Sequence, residues 1–310
     1  MLMRVARWRL RIKTVRLAQP SWCGIFRVVA VPVVMVIAGV AWPAQAQALV
    51  FPAGNPAKCL PFPGNLRLNP RFPLPKPPPG SRSFHQSQPA CGYLAGFANL
   101  RKLDAAVPVG PGLSDLRLGL TTYTNLNHSY SYLQQDVAGQ LEYHGLPEFP
   151  PARATFQAFG HIPVSATIHI SEIGSLNLAL IACTPASKCP NHPANAALFF
   201  GRVTLRISNV EIDGVPLDVG PHCQTATPFN LALTGLPPAY SIGRIHGALT
   251  GTATIPPFKG CASGLDPLFT ASVSGPGNFV KIIQAPLCTP RTGTGCPPVK
   301  PGAVPSQTGS

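Results

Sequence analysis

The sequence predicts an all-β protein, an antiparallel β-sandwich with a β-barrel as the alternative. Three observations predict it. Apolar and polar residues alternate in stretch after stretch, Gly and Pro mark nearly every boundary, and no stretch carries a convincing helical period. Alternation matters because successive side chains of a strand point to opposite faces. The sandwich is preferred because the strands vary in length and nothing repeats at a fixed period.

Along the chain, residues 1–48 read as an export signal. Arg4, Arg7, Arg9, Arg11, Lys13, Arg16 and Arg27 precede the apolar run Val28–Trp42, and "PAQAQA" then offers two A-x-A cleavage signals. The run is shorter than the ~20 residues of a spanning helix and Pro32 interrupts it, so no stable membrane span is expected after cleavage. Residues 49–90 are proline-rich, most densely in "NPRFPLPKPPPG" (Asn69–Gly80). Proline fixes φ and removes a donor, so this segment is expected to be a disordered, extended linker. Residues 291–310, rich in Pro, Gly, Ser and Thr, read as a flexible tail.

Residues 91–290 form the expected sandwich domain. "SDLRLGLTTY" places Leu116, Leu118 and Leu120 on one face, and "HSYSYLQQDVAGQLEY" reads as a strand pair or one bent strand. "PVSATIHIS" sets Val164, Ala166, Ile168 and Ile170 against Ser165, Thr167, His169 and Ser171. "SLNLALIAC" follows Gly174. In "RVTLRISNVEIDGVPLDVGPHC" (Arg202–Cys223), Val203, Leu205 and Ile207 share a face. Asp213-Gly214 then marks a two-residue hairpin, because a type I′ turn needs positive φ at both central residues. Pro216 makes the outgoing strand short or an edge. "PFNLALTG", "ALTGTATIPPF", "LFTASVSG" and "FVKIIQ" read as further strands, with Gly275-Pro276-Gly277-Asn278 as a turn joining the last two.

Cleavage discards Cys23 and leaves eight cysteines, an even number that reads as disulfides in an oxidising compartment. Cys223 is expected to bond Cys261, because these residues flank two candidate neighbouring strands. Cys183 is expected to bond Cys189 around the turn "TPASK". That leaves Cys59–Cys91 and Cys288–Cys296.

Seven of the 24 Lys and Arg residues, and none of the ten acids, lie in the signal, so the remainder carries +7. Its basic residues are scattered and do not alternate with aromatics, which argues against nucleic acid. Anionic cell-envelope polymers are the partner this charge favours, weakly and in a salt-sensitive way. The Arg202 and Arg206 pair reads as a solvated strand face.

No G-x-S-x-G, H-E-x-x-H, P-loop, G-x-G-x-x-G or C-x-x-C occurs, so no catalytic residue, metal ligand or cofactor is assigned. His161 and His169 share a strand parity but stand about 26 Å apart along a strand, too far to share a metal. His222 adjoins a cysteine expected to be bonded. Glu142 and Glu148 are the least implausible acid pair, near the turn "HGLPEFPP".

"VPLDVGPHCQTATPFNLALTG", "LTGTATIPPFKGC" and "SGPGNFVKIIQAPLC" resemble a group of uncharacterised secreted actinobacterial β-rich proteins, roughly over residues 120–288. The resemblance implies an exported β-rich domain with recurring cysteines, and no catalytic residue. The functional expectation is an exported, non-enzymatic structural or binding module of the cell envelope or extracellular medium. The alternatives are an envelope-acting hydrolase with a loop-assembled site and a carrier of apolar ligands. Two converging carboxylates in a deep pocket would favour the hydrolase, a dry cavity the carrier, and a filled core the structural module.

Overall fold

The computed structural model describes residues 59, 66–72, 74–126, 129–158, 162–189, 194–290, 293, 296 and 298–300. The expected signal (1–48), Cys23, His161 and the last ten residues lie outside them. Fourteen strands follow in order. They are β1 (Arg82–Leu100), β2 (Ala105–Leu126), β3 (Tyr130–Glu142), β4 (Ala152–Ala158), β5 (Ile162–Glu172), β6 (Leu176–Thr184) and β7 (Asn195–Ile212). Then come β8 (Val215–Leu217), β9 (Gln224–Thr225), β10 (Phe229–Gly235), β11 (Tyr240–Ser241), β12 (His246–Ile255), β13 (Phe258–Lys259) and β14 (Gly275–Gln284). One α-helix, α1 (Asp266–Val273), precedes β14.

Every pairing is antiparallel, as expected, and the order of neighbours closes on itself. β1 pairs β2, β2 pairs β3, β3 pairs β6 and β6 pairs β7; β7 then pairs β10, β10 pairs β12, β12 pairs β14 and β14 returns to β1. The decisive contact is β7 with β10: Leu198 faces Ala179 of β6 on one side and Thr234 of β10 on the other. Of the two architectures weighed from sequence, this ring is the barrel. Alternation says which face a residue takes, not which strand it meets.

The long strand β7 shows how pattern becomes structure. Val203, Leu205 and Ile207 are buried, while Arg202, Thr204, Arg206 and Ser208 are half-exposed. Asn209 then takes φ +48°, and the register with β5 shifts, so the buried series resumes at Val210. One residue out of register flips every later side chain, and the bulge restores the inward set. Asp213 and Gly214 both have positive φ, and Ile212 faces Val215 across the expected two-residue hairpin.

Below its midpoint β7 leaves the eight-membered ring. Its second half pairs β5, which pairs β4, and β4 packs against β2. On its other edge it pairs β8 and β9, and β9 pairs β13. The wall is therefore wider at this end. α1 closes it.

Two stretches differ from the sequence reading. "LFTASVSG" is mostly helix: Leu268–Val273 belong to α1, and Gly275–Asn278 open β14 instead of forming a turn between strands. Phe, Thr and Val are common in strands, but Asp266-Pro267 is a helix start, with Pro in the first turn and Asp complementing the dipole. The proline-rich segment, expected to be disordered and extended, is packed over its described residues 66–72 and 74–81 and turns at 70–72 and 79–80. Leu66 and Phe72 are buried, and β1 begins at Arg82, inside the span read as linker. Asn177 Nδ2 donates to the carbonyls of Asn69 and Phe72, and Gln134 Nε2 donates to that of Pro75. Proline lacks an N–H but keeps its carbonyl, so a proline strap is held by side-chain donors of the sheet beneath it.

Candidate binding chamber

The wide end of the barrel is hollow. Its wall and α1 enclose a cavity of about 140 Å3. Strand β5 contributes Val164, Ala166 and Ile168, and β7 contributes Leu205 and Ile207. Among its 30 lining residues the only polar side chains are Ser272 and Asn278. Asn278 is spoken for: Nδ2 donates to the carbonyls of Ala253 and Gly275, and Oδ1 accepts from the Arg101 N–H. An apolar void of this size stays dry and can hold a benzene-sized group.

The void has two causes. A wall with more strands has a larger diameter. Its lining also includes short or β-branched residues, Val164, Ala166, Ile168 and Ala253, among its Leu and Phe, whereas the narrow end is filled by Leu116, Leu118, Leu178, Tyr240 and Leu249.

α1 is the lid. Asp266 accepts from the N–H groups of Gly260 (3.2 Å) and Cys261 (2.7 Å), and the Phe258 N–H donates to Thr270 Oγ1 (2.9 Å). Ser274 Oγ donates to the Pro256 carbonyl at 2.6 Å. The Cys223–Cys261 disulfide anchors the segment that leads into the helix. All these ties lie on the β9, β12 and β13 side. From the β1–β2 connection Lys102 Nζ donates to the Ala271 carbonyl at 2.9 Å. Leu268 lines the cavity yet is 40 % exposed, so the cover is one side chain thick there.

No family model, curated protein or solved structure matches this chain. Function must therefore be argued from the chamber and from the residues singled out in the sequence.

Each of the eight cysteines lies at bonding distance from the partner named above. β10 pairs β12, and β9 pairs β13 through Phe258 and Thr225, which brings Cys223 to Cys261. His222 therefore adjoins a bonded sulfur. His169 Nε2 lies 2.9 Å from Ser208 Oγ, and burial, then the charge of Arg206, lowers its pKa against the opposing charge of Glu148. Glu142 accepts from the Gly145 N–H across a turn, and Glu148 accepts from Ser171 Oγ. Both carboxylates serve local structure.

Sequence reading passed over three buried acids. Glu172 is 3 % exposed, and burial pushes it up to about 8 against the pull of the Leu141 and Leu176 N–H groups. Burial, then the charge of Glu142, pushes Asp115 up to about 6. Asp136 is raised by burial, opposed by its bond to Gln134. Glu172 continues the parity of Val164, Ala166 and Ile168, which was the available signal, whereas Asp115 and Asp136 stand opposite the faces of Leu116 and Val137, where alternation gives none. Glu172 borders a surface groove of about 620 Å3 with Arg67, Arg71, Arg202 and Gln140. With three arginines against this one acid, the groove is cationic.

No helix among the described residues is long and apolar enough to cross a membrane.

Proposed function

We propose that this protein is an exported, non-enzymatic binding module of the cell envelope or its surroundings, and that it carries a small apolar group inside the barrel. The observation that supports this most is the dry chamber of about 140 Å3 behind a one-helix lid. A core serving shape alone is expected to fill such a space, since interiors pack like organic crystals. Residence of a phenyl-sized group or the end of an acyl chain fits the volume. Whole drug-sized ligands need about 300 Å3 or more, so the remainder of a larger ligand would extend past α1.

Fluorobenzene followed by 19F NMR tests the reading. A saturable bound resonance is expected, and it should vanish in an Ala166→Leu/Ala253→Leu variant that fills the chamber. Binding that survives the filling, or none in the unaltered protein, would overturn it.

The cationic groove favours a second, compatible reading: contact with anionic envelope polymers through Arg67, Arg71 and Arg202. Charge reversal at Arg67 and Arg71 should abolish retention on an anionic polymer column at low salt. Retention insensitive to salt would argue against it.

A further inference from the structure

The two terminal segments meet outside the barrel wall at four sulfurs. Cys91 of β1 and Cys288 exchange both backbone hydrogen bonds, at 2.9 and 2.8 Å. Residues so paired lie directly opposite each other with side chains on one face. Cys91 is bonded to Cys59 and Cys288 to Cys296. The Sγ atoms of Cys59, Cys91 and Cys288 all lie within 4.8 Å of one another, and Cys59 Sγ is 3.5 Å from Cys288 Sγ. Two disulfides are thus in van der Waals contact. On the other flank of Cys91 stands its cross-strand partner Asp115. Asp115 is 4 % exposed, and its Oδ1 meets no hydrogen-bond partner among the described residues.

We propose that these four cysteines form a thiol–disulfide exchange centre that takes up a low-molecular-weight thiol at Cys296. Cys296 is exposed, whereas Cys91 and Cys288 are buried. The incoming thiol gives up its proton, and its thiolate attacks Cys296 Sγ. The Cys288–Cys296 bond breaks and its electron pair leaves on Cys288. The Cys288 thiolate then attacks Cys59 Sγ, 3.5 Å away, and the Cys59–Cys91 bond breaks. Cys91 leaves as a thiolate and takes up a proton through Asp115. Two S–S bonds break and two form, so no oxidant or reductant is consumed. The product carries the thiol on Cys296, a Cys59–Cys288 bond and a Cys91 thiol. The proline strap stays tethered by Cys59, now to Cys288, while the tail is released with its adduct.

The remote pair Cys183–Cys189 has no second disulfide in such contact among the described residues and serves as the internal reference. Mature protein is incubated with millimolar cysteine, quenched in acid, alkylated and mapped without reduction. The expected map shows a cysteine adduct on Cys296, a Cys59–Cys288 cross-link and alkylated Cys91, in a fraction comparable to the original pairing. Thiolation of Cys296 without the new cross-link, or reaction confined to Cys183–Cys189, would overturn the proposal. A Cys296→Ser variant asks the same without added thiol, because it releases the Cys288 sulfur during folding. Cys59–Cys288 with alkylated Cys91 is expected; Cys59–Cys91 with alkylated Cys288 alone would refute the exchange. If that variant fails to fold, the mapping of the unaltered protein decides.

Discussion

The two ends of the barrel share a strand, β7, but not a filling. Its first half, with Ala197, faces an end packed with Leu and Tyr. Its second half, from Val203 to Ile212, faces the chamber. The narrow end has eight strands in its ring and Leu-sized side chains within it. The wide end adds β4, β5, β9 and β13 to the wall, and Val, Ile and Ala stand among the Leu and Phe that line it. The hollowness goes with the extra strands, which widen the wall beyond what its side chains fill.

If that account holds, substitutions of one kind should act oppositely at the two ends. The largest effect is expected from Leu249→Ala at the narrow end. Leu249 is fully buried, and a cavity opened in a full core costs about 2–5 kcal/mol. Urea unfolding measures it. Next comes a matched pair. Ala197→Leu at the narrow end should destabilise by about 1–3 kcal/mol, because a full core resists overpacking. Ala166→Leu at the wide end should be neutral or stabilising, because its side chain enters an existing void. Equal costs at both sites would mean that the chamber is not a void in solution.

A third prediction separates the ends by charge. Glu172 abuts the narrow-end core through the Leu141 N–H, whereas no acid lines the chamber. Its folded pKa is raised to about 8 from an ordinary 4.5. Below 4.5 both folded and unfolded chains hold the proton, so the group has no effect. Between 4.5 and 8 the unfolded chain releases it first, so stability falls as pH rises, and the loss is complete above 8. Glu172→Gln should therefore gain stability relative to the parent on going from pH 5 to pH 9, by roughly 4 kcal/mol. Asp115, raised to about 6, leaves a residual slope of the same sign in that variant. Thermal melts across this range give the answer, and parallel pH profiles would show that Glu172 is ionised when folded.

What could be read from the sequence divides along similar lines. Face assignment was legible: Val203, Leu205, Ile207, Leu116 and Leu118 all point inward because period-two alternation is a local property. The Asp213-Gly214 turn was legible because positive φ at two successive residues has few chemical solutions. The Cys223–Cys261 pairing followed from one correct guess about neighbouring strands. Ring closure was not legible, since β7 meets β10 through residues that any antiparallel partner would satisfy. Nor was the chamber, because a void is a property of the whole wall. Glu172 was half-hidden for a related reason: its parity with Val164, Ala166 and Ile168 was local, but the depth of its burial depends on the Leu141 backbone and the strap above it. The helix α1 was missed where its own start signal, Asp266-Pro267, was outweighed by the Phe, Thr and Val that follow.

The smallest expected effect concerns the lid. α1 is tied through Asp266, Thr270 and Ser274 to the β9, β12 and β13 side, and from the β1–β2 connection it is held by Lys102 on the Ala271 carbonyl. Lys102 is an exposed cation at the helix C-terminus, so the hydrogen bond and the dipole together contribute about 0.3–1 kcal/mol. Lys102→Met should leave global unfolding almost unchanged. It should instead speed amide exchange in residues 268–273 by roughly two- to fivefold, with the same factor in the rate of fluorobenzene entry. Amides of Leu233 and Leu249, at the filled end, should not respond. If they do, the lid and the barrel open together, and the chamber is reached by unfolding the wall rather than by lifting its cover.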